Sequence, residues 1–393
     1  MSGPKKPLLT HPTAPFYVLL SGMGVLIFMG LLMVLSASGV RAYANSGSSF
    51  AIVFRQLMWF SVGLALGYLA FKLPTKGWRK ISPLLLLGSV CMLGLVFVDG
   101  IGLEINGNRN WIHLGPITIQ PSEFTKMALI IWAAFILARV ERGEFLRNQG
   151  TGALLCGFGA ISLLILLGKD IGTVMVLALI MLGMLFISGE RVSRLLAIGG
   201  ICLAVIIGLA LLRPTLLSRL TAFLDPFSAA NYLGLGWQPA HSRMALASGG
   251  FFGVGLGGSR QKWGNLGPEA HTDFIFAVIG EEIGLLGTTI VLAALFMIAW
   301  AGVKTAIATS DPFSRYAVAG VTTWIIAQAS INIGSVTGVF PVVGLPLPLV
   351  SYGGSALISS MAGLAFILGV ARREPEAKRY FDSRPKILEW RGR

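Results

Sequence analysis

Apolar runs of about twenty residues recur along this chain, the length an α-helix needs to cross the hydrocarbon of a bilayer. Ten can be delimited in the 393 residues: about 16–38, 52–71, 82–99, 120–138, 151–168, 171–188, 192–212, 274–300, 315–337 and 350–371. With 54% hydrophobic residues, 12% charged residues and a mean hydropathy of +0.76, a water-soluble fold is excluded, because its surface must be largely polar. The reading is an all-α polytopic membrane protein, a ten-span helical bundle forming one domain over 1–371, with a short basic tail at 372–393. The first run lies between Lys5-Lys6 and Ser36-Ala37-Ser38; it is longer than a signal-peptide core and reads as a retained anchor.

A net charge of +14 would suit nucleic acid, but the basic residues concentrate in short loops between the apolar runs. Cytoplasmic loops carry the excess of Lys and Arg. By that rule Lys5, Lys6, Lys72, Arg79, Arg139, Arg191, Lys304, Arg315 and the tail residues Arg384, Lys386, Arg391 and Arg393 place both termini inside. Arg41, Arg55, Arg109, Lys169, Arg213 and Arg219 then fall outside, with three informative loops: 99–123, the long segment 213–273 between spans seven and eight, and 338–355. The long loop contains ALASGGFFGVGLGGSRQKWGN, too glycine-rich for a continuous helix. Part of it is expected as a short or re-entrant element lying on the protein. It has no GxxxxGK[ST] and no preceding strand, so a nucleotide site is not read there. Cys91, Cys156 and Cys202 stand alone in apolar segments and read as small packing residues without disulfides. His113, His241 and His271 lack the helical spacing of a zinc pair.

Ionisable residues inside a membrane are costly and mark function by default. Glu123 and Lys126 stand three apart at the fourth span and can pair on one helix face. They are either a self-neutralising salt bridge or the charged wall of a cavity, with Lys126 offered to a phosphate. Asp273 stands where the outer loop becomes the eighth span. A first-turn carboxylate there is favoured by the helix dipole, so a cap is the simpler reading of the residues alone. Glu281 falls on a broadly similar face, about 12 Å deeper, whereas Glu282 points away toward a neighbouring helix. Trp111 and Trp263 suit interfacial anchoring, and the Pro-Gly segment 341–354 breaks a helix to form an outer turn.

NGNRNWIHLGPITIQPSEFTK, RLTAFLDPF, ASGGFFGVGLGGSRQK, PEAHTDFIFAVIGEE and GLPLPLVSYGGS, in this order, resemble the SEDS family (shape, elongation, division and sporulation). The resemblance covers nearly the whole chain. FGVGLGGSRQK and FAVIGEE tilt it toward the division-specific branch rather than the elongation-specific one. Departures are Asn110 directly before Trp111, where relatives carry arginine, and AANYLGLGWQPAHSRMALASGG in place of a glutamine-rich version. Arg109 stands close enough to substitute.

The resemblance implies a ten-span bundle that polymerises lipid II into β-1,4 glycan at the outer face of the cytoplasmic membrane during division. It implies Asp273 as general base, Glu123, Lys126 and Trp111 as substrate-binding residues, and a class B penicillin-binding transpeptidase and other division proteins as partners. The growing strand would remain linked to undecaprenyl pyrophosphate. Positive charge for the departing pyrophosphate would come from Lys126, Arg55, Arg109 or a divalent cation, Mg or Mn; no cofactor is otherwise implied. Two other functions use the same charges. One is a lipid II transporter with Glu123, Lys126 and Glu281 along its path; the other is a scaffold that only recruits the transpeptidase.

Overall fold

The computed structural model describes residues 10–105, 107–115, 117–212, 218 and 221–383. Lys5, Lys6, Arg213, Arg219, Arg384, Lys386, Arg391 and Arg393 lie outside the described residues. The bundle is built from α1 (Ala14–Ser46), α2 (Ala51–Lys72), α3 (Thr75–Leu95), α4 (Pro121–Glu141), α5 (Arg147–Leu167), α6 (Ile171–Ile187) and α7 (Val192–Leu212). After two short elements of the long loop, α8 (Ala229–Tyr232) and α9 (Trp237–Gly249), come α10 (Ile275–Glu282), α11 (Gly284–Ala308), α12 (Pro312–Thr337), α13 (Gly354–Arg373) and the terminal α14 (Pro375–Asp382). Among the described residues eight helices are long and apolar enough to cross a membrane: α1, α2, α3, α5, α7, α11, α12 and α13. The apolar α6 is shorter, with 17 residues, and α4 carries Glu123 and Lys126 in its first turns.

Helices α12 and α13 run through the middle of the bundle, and most of their side chains are buried. Between helices in hydrocarbon, close backbone approach through small residues replaces the hydrophobic drive available in water. Gly63 and Gly67 of α2 lie against Met361 and Ala365 of α13, and a Cβ on Gly22 of α1 would stand 3.0 Å from the Ala294 carbonyl of α11. Helix α7 is peripheral, with Leu196, Ile201 and Leu211 largely exposed. The loop ends after α2, α4, α6 and α11 gather at one end of the bundle, where Arg79 pairs with Asp311, Arg315 with Glu141, and Arg194 with Glu190. His11 meets the Tyr380 ring there, so both ends of the described chain lie on this side. That matches the grouping of loops made from basic residues.

Three features depart from the hydropathy reading. The 99–123 loop folds as an antiparallel sheet, β1 (Gly102–Ile105), β2 (Asn108–Leu114) and β3 (Ile117–Ile119), with Trp111 opposite Leu103. Strands this short produce no periodic signal beside runs of twenty apolar residues. Cys91 and Cys156 are exposed on helix surfaces rather than packed inside.

The eighth span is not one helix. It breaks at Gly284, where φ is +72° and the Phe251 carbonyl lies 2.6 Å from the place a Cβ would take. Into this break the glycine-rich loop docks by backbone bonds from Val254 N to Glu281 O and Gly255 N to Glu282 O, at 2.9 and 3.0 Å. Gly284→Ala meets both a left-handed backbone and occupied space, so a loss of about 1–3 kcal/mol is expected. A lowered midpoint of thermal unfolding in detergent checks it; an unchanged midpoint contradicts the docked geometry.

Candidate active site

At the end opposite the basic loops a cavity of about 750 Å³ opens. Its polar wall includes Asn110 and Trp111 of β2, Gln120, Lys169, Asp170, Gln238, Glu269, Asp273 and Tyr352; its apolar wall includes Leu203, Ile206 and Ile207 of α7. One side therefore suits hydroxyls and amides, and the other suits a hydrocarbon chain.

Asp273 is half-buried on this wall. Its side chain does not cap α10: the cap position is Phe274, which makes no side-chain cap bond. The cap reading is thus replaced by a carboxyl that accepts no hydrogen bond from the described residues. Its backbone, by contrast, is clamped by the SYGGS segment and α12. Tyr352 N donates to His271 O (2.9 Å), Ser351 Oγ to Thr272 O (2.5 Å) and Asn332 Nδ2 to Asp273 O (2.8 Å). Gly344, at φ +74°, leaves bare backbone beside the carboxyl, since a Cβ there would lie 3.8 Å from Asp273 Oδ2. Desolvation raises the Asp273 pKa to about 7, with smaller contributions from the charges of Glu269 and Asp170. Burial and the charge of Arg41 hold His271 down at about 4, so it is neutral at pH 7.

Glu269 enters the cavity from a short helical turn, Gly267–His271, and accepts from Gln238 Nε2 at 2.8 Å. Asp170 caps α6 through Thr173 N (2.9 Å) and receives Gln120 Nε2 at 3.3 Å; burial pushes its carboxyl upward. The sequence reading missed Asp170, Lys169, Glu269 and Tyr352. Each was visible only as a loop residue, and nothing local shows that loops 168–170, 267–273 and 341–353 converge.

The remaining predicted residues stand elsewhere. Lys126 and Glu123 do pair, Nζ to Oε1 at 2.7 Å, but they are 0% and 1% exposed and do not line the cavity. Lys126 also donates to Gln328 Oε1 (2.7 Å) and lies 5.1 Å from the Trp324 ring centroid, while Gln328 Nε2 holds Pro346 O (2.9 Å). The pair is the self-neutralising salt bridge, a buttress beneath loop 341–353 that does not line the cavity. Arg109 turns away to Val96 O and Asp99, at 2.9 and 2.7 Å, and does not replace an arginine at the cavity. Arg55 reaches the Tyr352 hydroxyl and is not itself among the residues lining the cavity.

Glu281 does not share the face of Asp273. It is 1% exposed and accepts from Ser259 Oγ (2.5 Å), Arg260 N (3.0 Å) and Gln261 N (3.3 Å). Asp273 lies before the first residue of α10, Ile275, so the two do not share a helix face, and Glu281 faces the glycine-rich loop. Glu282 pairs with Lys262 (2.7 Å) and accepts from Ser36 of α1 (2.6 Å), so it reaches the neighbouring helix expected of it. Glu123, Lys126 and Glu281, the charges a transport path would use, are all closed off from the cavity. Trp111 alone of the predicted binding residues joins Asp273 there.

A helical, polytopic membrane protein with an acid-walled cavity at one end, half polar and half apolar, is the class this architecture defines. A family model described as Cell cycle protein, FTSW_RODA_SPOVE, matches residues 17–376, and the chain belongs to that family. It is 37% identical over 374 residues to the probable peptidoglycan glycosyltransferase FtsW of Mycobacterium tuberculosis, across 94% of this chain and 70% of that one. Stage V sporulation protein E of Bacillus subtilis is 36% identical over 366 residues, across 93% and 99% of the two chains. Among solved structures, the rod shape determining protein RodA of Thermus thermophilus superposes with a TM-score of 0.67 at 26% identity, covering 91% of this chain and 96% of that one. A chain from a peptidoglycan synthase complex that coordinates polymerization and crosslinking gives 0.69 at 28%, covering 90% and 98%.

Proposed function

We propose that this chain is a division-type peptidoglycan glycosyltransferase that joins lipid II into β-1,4 glycan at the outer face of the cytoplasmic membrane. The observation carrying the reading is Asp273: a carboxyl with an unshared edge, on the wall of a cavity, with a backbone fixed by three hydrogen bonds and a pKa near neutrality. A general base works best when its pKa lies near the working pH.

In this reading Asp273 takes the proton of the 4-hydroxyl of one GlcNAc as its oxygen attacks C1 of the MurNAc at the reducing end of the growing strand. The C1–O bond to undecaprenyl pyrophosphate breaks, its electron pair leaving with the pyrophosphate, and the α-linkage inverts to β. Trp111 offers an indole face to a sugar ring, and Gln120, Asn110 and Gln238 offer amides to hydroxyls. Leu203, Ile206 and Ile207 offer the prenyl chain an apolar surface continuous with the lipid. Among the described residues no three His, Cys, Asp or Glu side chains form a group able to hold a metal ion.

Orientation with both termini cytoplasmic, ten spans with α4 and α6 included, a septal location and a class B transpeptidase partner belong to the same reading. The basic end of the bundle and the likeness to a chain of a synthase complex support them.

The test is polymerisation of labelled lipid II by the full chain with its cognate transpeptidase, followed across pH. The base form is the ionised one, so turnover should rise about tenfold per pH unit below pH ~7 and level off above it. Glu269→Gln removes a neighbouring negative charge and should shift that inflection to lower pH. A profile flat from pH 5 to 8 sinks Asp273 as the base, and absence of polymer from the folded complex sinks the reading itself.

A further inference from the structure

Among the described residues the cavity wall presents three carboxyl groups, Asp170, Glu269 and Asp273, and one cation, Lys169. The cations that the sequence offered for an anionic linkage, Lys126, Arg55 and Arg109, all lie off that wall. Lys169 is exposed and forms no ion pair or hydrogen bond through its side chain with another described residue.

Its backbone is unusual. Helix α5 closes by Lys169 N to Leu166 O (3.0 Å) and Asp170 N to Ile165 O (3.3 Å), a helix ending that requires a left-handed residue at 169. Lys169 takes φ +67°, a conformation strained for any residue with a Cβ and usually given to glycine. Glycine stands one position earlier, at Gly168, for a separate reason. Strand β2 crosses there, Arg109 N donates to Gly168 O at 3.1 Å, and a Cβ would come within 2.6 Å of the Arg109 carbonyl. A second glycine at 169 would remove the strain. Lysine holds the position instead, with no side-chain hydrogen bond or ion pair to another described residue to offset the strain.

That conformation ends α5 abruptly and sets the lysine at the cavity mouth, just before the N-terminus of α6. Ile171 and Gly172, the first residues of that helix, also line the cavity beside it. A lysine that merely anchored the interface would snorkel from an ordinary helical backbone.

We propose that Lys169 is the diphosphate-binding residue of the cavity, gripping the anionic linkage of a polyprenyl-diphosphate substrate by charge-assisted hydrogen bonds. The inference rests on the glycosyl-transfer reading for its choice of ligand. The ammonium holds the linkage while the sugar end reaches Asp273, and it offsets the charge left on the diphosphate when the C1–O bond breaks.

The experiment measures equilibrium binding of undecaprenyl diphosphate and of undecaprenol to the full chain in neutral-lipid nanodiscs. The wild type should prefer the diphosphate. Lys169→Met and Lys169→Gly should each lose that preference by roughly tenfold to a hundredfold, the range expected for a hydrogen bond to a charged group. Lys169→Arg should keep it. Lys169→Gly, relieved of strain, should melt no lower than wild type, which separates lost binding from lost folding. No diphosphate preference in the wild type, or an undiminished preference in Lys169→Met, overturns the proposal. If lipid II polymer forms normally with Lys169→Met, the anion site is wrong while the glycosyl-transfer reading stands. If the wild type makes no polymer yet binds diphosphate through Lys169, the reverse holds.

Discussion

Asp273→Ala and Asp273→Asn are expected to abolish glycan synthesis from lipid II, with a loss of at least about 10²–10⁴-fold, the range supplied by a positioned proton acceptor. Labelled substrate resolved by gel before and after muramidase digestion measures it. The carboxyl accepts no hydrogen bond from the described residues, while the backbone around it is held by Tyr352, Ser351 and Asn332. Removing the side chain leaves that clamp in place. Stability should follow the opposite trend from activity. The Asp273 pKa is raised on folding, from the unfolded value near ~3.9 to about 7. Its contribution to stability is therefore fully present below pH ~4 and is lost as pH rises through 7. Asp273→Asn should accordingly unfold no more readily than wild type at pH 8, and should show a weaker fall in stability between pH 4 and 8. Polymer from either variant contradicts the base assignment.

The second large effect concerns a residue that does not touch the cavity. Lys126→Met leaves Glu123 in the core without its cation and Gln328 without its strongest donor. Breaking a buried pair from one side costs on the order of 3–5 kcal/mol. The protein should melt well below wild type or fail to accumulate in the membrane. Glu123→Gln combined with Lys126→Met should recover much of the stability, because no unpaired charge remains. Activity in the double variant should stay low, since Gln328 Oε1 would keep only the bond from Trp324 Nε1 (2.9 Å), and the Gln328 bond to Pro346 steadies the loop that carries Ser351 and Tyr352. Thermal unfolding and polymerisation, read together, separate the two effects. A double variant as unstable as Lys126→Met refutes the charge-pair account, and one that polymerises like wild type refutes the buttress.

Much of this molecule was legible in its sequence because bilayer thickness imposes one dominant length. Runs of apolar residues near that length gave the helices, and basic loops gave the two ends. Asp273 was legible as an acid at the water boundary, and its role came from the motif resemblance rather than from spacing. What spacing could not give was where side chains turn. Glu281 aligns with Asp273 only if one helix carries both, and α10 begins at Ile275, after the aspartate. For Lys126 the sequence leaves salt bridge and phosphate contact equally open, because it carries no sign of Gln328 and Trp324 closing over the pair. Arg109 is taken by Asp99 and Val96, an outcome of the small sheet that hydropathy does not register. In the sequence Lys169 is one more outward charge.

The three carbonyls that fix Asp273 are gripped by groups placed 59 to 81 positions later in the chain. During synthesis the aspartate therefore enters the membrane long before anything can hold it in place. The site becomes competent only when α12 and the following loop have threaded in. A ribosome that stalls, or a message that ends early, thus leaves an inert protein in the envelope rather than an unsupervised wall-builder.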